Sequence, residues 1–98
     1  MPFRVLFTAL LLAPALAFAQ NNFARTDAYA DAAPESAERS VPALASYLSR
    51  AGGDELTRAR AIYRWLAGHI DYDANGFRTG SYGDLSPEAV LHRRVSVC

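Results

Sequence analysis

From Ser40 onward apolar residues recur at helical spacing; before it they do not. Val41, Leu44, Tyr47, Leu48 and Ala51 fall three or four apart, which predicts a helix over Ser40 to Ala51. Ser40 stands where an N-cap belongs, and Pro42 falls in the first turn, where a missing N–H costs nothing. Gly52-Gly53 ends the pattern, because glycine enters the left-handed cap conformation at little cost. A longer helix is expected from Asp54 to about Ile70. Asp54 caps it, and Glu55 adds negative charge at its positive end. Leu56, Ala59, Tyr63, Leu66 and Ile70 form one apolar stripe, and Ile62, Trp65 and His69 form a second beside it. Arg58, Arg60 and Arg64 lie largely between and outside these stripes. The helix at Ser40 offers too little surface to cover both, so the stripe through Trp65 is expected to lack cover.

Asp71 to Leu85 reads as a loop, punctuated by Asn75, Gly76, Gly80 and Gly83 among the aromatics Tyr72, Phe77 and Tyr82. A last helix is expected after it, with Ser86 as cap, Pro87 at the first helical position and Glu88 in the first turn. Ala89, Val90 and Leu91 give it an apolar side, and Arg93 and Arg94 suit its negative end. Val95-Ser96-Val97 then alternates toward Cys98. The fold expected from these elements is mainly α: three short helices plus a loop.

The residues before Ser40 read differently. Met1 to Arg4 carries one positive charge, Val5 to Leu16 is uncharged and mostly apolar, and Ala17-Phe18-Ala19 is a small-x-small site. That order predicts a secretory signal peptide over residues 1–19, cleaved before Gln20, and the apolar run is too short for a membrane span. Gln20 to Glu38 is rich in Ala, Asp, Asn and Ser without a clear period, so residues 20–38 are expected to be a flexible leader. Residues 39–98 then form the folded part. The protein is expected to be secreted or periplasmic.

Ten basic residues, all Arg, balance ten acidic ones in a chain of 98. A neutral chain has no electrostatic reason to seek nucleic acid. Cys98 is the only cysteine, so no internal disulfide is available. In an exported protein such a residue is a reactive thiol or half of an intermolecular bridge. So few residues bury little surface, and poor autonomous folding is expected.

Two other patterns bear on chemistry. Asp71, Asp73, Asn75 and Gly76 match the first half of an EF-hand calcium loop. The second half fails: Tyr82 stands where a bidentate Glu belongs, and Arg78 brings a cation to an apolar position. Polar residues ending a helix explain the match better, and no metal or other cofactor is expected. His69 reads as a packed residue on the Trp65 stripe. His92 lies six residues before Cys98, but pairing with a thiol needs contact in space, which the spacing does not supply.

One resemblance draws these segments together. Ala59-Arg60-Ala61-Ile62-Tyr63-Arg64-Trp65-Leu66 followed by Ile70-Asp71-Tyr72-Asp73 resembles the A-x-x-I-Y-x-W-I and I-x-Y-D runs of transglutaminase-like domains. Ser86 to Leu91, then Arg93-Arg94 and Val97-Cys98, resembles the approach to that family's nucleophile. The resemblance implies a papain-like α+β fold with a Cys-His-Asp triad, acting on protein or peptide amides by acyl transfer through a thioester. Carried over by motif, Cys98 is the nucleophile; the family places it at a helix N-terminus, which favours the thiolate. Ile62, Tyr63, Trp65 and Tyr72 match motif positions that read as packing. The sequence departs from the pattern at Ser96, where the family usually has Gly. No residue matches the triad His or Asp, which the family carries on a sheet after the nucleophile. The chain is therefore expected to be the N-terminal helical part of such a domain, without its sheet and inactive alone. The alternative is a small secreted helical binding or structural module without catalysis.

Overall fold

A computed structural model describes residues 22–98 of the chain, so the segment read as a signal peptide lies outside the described residues. The fold is mainly helical. In chain order the elements are α1 (Ala24–Asp31), a 3-10 turn (Ala37–Arg39), α2 (Val41–Ser49), α3 (Glu55–His69), β1 (Asp71–Tyr72), α4 (Ala74–Thr79), α5 (Pro87–Arg93) and β2 (Val95–Ser96).

The expected caps form. Ser40 accepts from the Ala43 N–H, Asp54 from the Thr57 N–H, and Ser86 from the Ala89 N–H. Each side chain satisfies one of the donors that a helix start leaves without an internal partner. Gly52 is needed for a close approach: a Cβ there would stand 2.5 Å from Thr57 Cγ2. A side chain at this position would force Thr57 to shift in the tight turn from α2 into α3.

The segment expected as a flexible leader instead contains α1, which packs along α3. Its apolar pattern is weak, and side-chain pairing holds it. Asp27 accepts two bonds from Arg60, both at 2.8 Å, and Asp31 accepts two from Arg64, at 3.0 and 2.9 Å. Such two-pronged arginine–carboxylate contacts fix orientation as well as distance. Arg60 also lies 5.1 Å from the Phe23 ring centroid. On the α2 side, the Tyr29 and Tyr47 rings stack at 4.4 Å. Ala30 and Thr26 are buried beneath.

The core contains Ala30, Leu44, Leu48, Ala61, Trp65 and Leu91. Trp65 is its centre at 1% exposure. The stripe expected to lack cover is therefore covered at Trp65, by α2 and α5 together. His69 stacks on the indole at 4.4 Å and 4°, and the Arg94 guanidinium carbon lies 5.1 Å from the ring centroid. The other stripe faces outward: Leu56, Tyr63 and Leu66 are exposed, and so is Ile62. Ala61, which belongs to neither stripe, is fully buried; its small side chain lets a neighbour come close where spacing of large residues gives no signal.

The stretch expected as a loop is partly regular. β1 pairs in parallel with β2, aligning Asp71 with Val95 and Tyr72 with Ser96. The Asp71 N–H donates to the Arg94 carbonyl and the Asp73 N–H to the Ser96 carbonyl, both at 2.8 Å. Asp73 then caps α4, and Gly80, at φ 72°, ends it in the left-handed conformation. The Arg93 side chain donates to the Tyr82 and Asp84 carbonyls and ties the following loop to α5.

Arg94 takes the same conformation at φ 63°, unusual for a residue with a side chain. Its contacts hold it there. Nε donates to the Leu91 carbonyl at 2.6 Å, the guanidinium covers Trp65, and Nη2 lies 3.2 Å from Glu38 Oε2 as an ion pair without hydrogen-bond alignment. The turn from α5 into β2 is set at this residue, and β2 leads directly to Cys98.

Candidate functional site around Cys98

The α5–β2 turn and the β1–β2 pairing together determine where the thiol goes. β2 follows α5 without a spacer beyond Arg94, and its pairing with β1 anchors it to the end of α3. Cys98 is exposed, with a free thiol. It stands at the margin of an open depression of ≈ 430 Å³. Tyr63, Leu66, Ala67 and Ile70 of the α3 region form one side, and Tyr72, Val90 and Val97 border it. The lining is largely apolar, with Asp71 and Ser96 contributing polar groups. The Ser96 hydroxyl donates to the Val97 carbonyl at 3.0 Å, an interaction that glycine at this position would lack.

Tyr72 borders the same depression and is 56% exposed, so it is not a packing residue here. Partial desolvation, then the neighbouring Cys98, then Asp73, hold its phenol above the ordinary tyrosine value. The thiol thus acts on the phenol although the two are 26 residues apart in sequence. Their closeness was foreshadowed only by the I-x-Y-D run and by the alternation of Val95 to Cys98. Which strand paired with which was not legible.

Neither histidine lines this depression. His69 shares hydrogen-bond contact with the Trp65 carbonyl through Nδ1, at 2.8 Å, and stacks on the same residue's indole. That contact identifies Nδ1–H as the donor, since the carbonyl can only accept. His69 borders a different depression with Asp31, Arg60 and Arg64. His92 is exposed on α5. The described residues thus bring no imidazole to Cys98.

The calcium-like residues are used locally. Asp73 Oδ1 accepts from the Gly76 N–H at 2.8 Å and Asn75 Oδ1 accepts from Arg78 at 2.9 Å. Asp71 belongs to β1. These contacts are a capped one-turn helix rather than an oxygen cage, and no group of three His, Cys, Asp or Glu side chains is arranged for a metal among the described residues.

A second hollow, of ≈ 320 Å³, lies between α2, α3 and α5. Leu44, Leu48, Ile62, Leu66, Val90 and Leu91 contribute to its walls, with Trp65 among them. It offers apolar contact and no reactive group. No helix among the described residues is long and apolar enough to cross a membrane.

Comparison with protein-family models, curated proteins and solved structures finds no match to the chain.

Proposed function

We propose that residues 39–98 are the N-terminal helical part of a transglutaminase-like domain and that Cys98 is its nucleophile. The observation that carries this reading is the parallel pairing of β1 with β2. It joins the two stretches on which the resemblance rests, so that Tyr72 of the first and Cys98 of the second border one depression. Sequence resemblance alone gave no reason for these segments to touch.

The chemistry implied is attack of the Cys98 thiolate on a protein or peptide amide, forming a thioester and releasing an amine. Transfer to water or to another amine would complete the turnover. A thiol needs a base and an orienting group for this work. The described residues place no histidine beside it, so the chain alone is expected to be inactive. Residues 1–19 act as the export signal in this reading, and the mature protein, beginning at Gln20, is secreted or periplasmic.

The gene tests the reading directly. A reading frame that continues past the Cys98 codon into a helix, followed by a His and an Asp on strands, is the expected result. A stop codon after Cys98 together with a folded, expressed product would overturn it. That outcome would favour a small exported binding module, whose candidate contact surface is the apolar hollow between α2, α3 and α5. Peptide or amide turnover by the purified chain would refute the expected inactivity.

A further inference from the structure

We draw no further inference here: the strongest candidate, the apolar hollow of ≈ 320 Å³ between α2, α3 and α5 with the exposed Ile62 and Leu66 on its α3 wall, carries none because nothing in the structure shows what covers it.

Discussion

Tyr29 and Tyr47 each donate their phenol hydroxyl to the other's backbone carbonyl, at 2.7 and 2.6 Å, while their rings lie parallel within 8°. One pair of side chains thus locks two backbones that are eighteen residues apart. Tyr29→Phe or Tyr47→Phe removes one of the two bonds and keeps the stack. Each is expected to cost about 1 kcal/mol in urea unfolding.

Alkali should loosen the same contact. Desolvation, and then Tyr29 beside it, raise the Tyr47 phenol above its usual 10.0. The native state therefore holds this proton more tightly than the unfolded chain. Its stabilising effect is complete below about pH 10 and fades as pH rises from there through the native value. Stability measured across that range should fall in the parent chain and fall less steeply in Tyr47→Phe.

The clasp between α1 and α3 should fail at the other end of the pH scale. Hydrogen bonds from Arg60 and Arg64 hold Asp27 and Asp31 below the ordinary carboxylate value. Their contribution is therefore present above about pH 4 and lost as pH falls through the lowered native values. Amide exchange in residues 24–31 should accelerate in acid ahead of exchange in α3. High salt at neutral pH should act in the same direction, because these pairs are solvent-accessible. Equal acceleration in both helices would count against a separable α1.

The two stripes of α3 should differ sharply under mutation. Trp65→Ala removes the buried centre of the core and is expected to cost about 3–5 kcal/mol, enough to abolish the fold of so small a domain. Ile62→Ala, at an exposed position, should stay within about 1 kcal/mol. Thermal unfolding followed by far-ultraviolet circular dichroism distinguishes these outcomes.

Asp73→Ala should remove the cap of α4 and cost about 1 kcal/mol. Calcium should leave Trp65 and tyrosine fluorescence unchanged in both parent and variant. A calcium-dependent signal lost on substitution would revive the cation site that the first half of the loop suggested.

Local rules carried the sequence reading furthest where an interaction spans three or four residues. Ser40, Asp54 and Ser86 cap the helices they were expected to cap, because side chain and backbone donor lie in one turn. Pairing across the fold left fainter traces. Asp27 and Asp31 repeat the four-residue spacing of Arg60 and Arg64, yet either pair alone resembles an ordinary solvated face. The buried face of α3 combines Trp65 with Ala61, whose small side chain carries no signal in a count of apolar bulk. β1 and β2 have two residues each and find one another across the chain, leaving no period long enough to detect. Of the residues bordering the candidate site, Cys98 stands out in the sequence as the lone cysteine, while Tyr72 reads as packing because its partner strand is not legible.

The ion pairs between α1 and α3 also act as a vernier. Both link residues 33 apart, so the helices run in the same direction with one alignment that serves both pairs. A slide of one helical turn would set Asp27 against Arg64 and leave Arg60 and Asp31 facing nothing of opposite charge. The reverse slide would strand Asp27 and Arg64 instead. Apolar contact between two helices tolerates such sliding; here the paired charges penalise it in either direction and specify a single axial position.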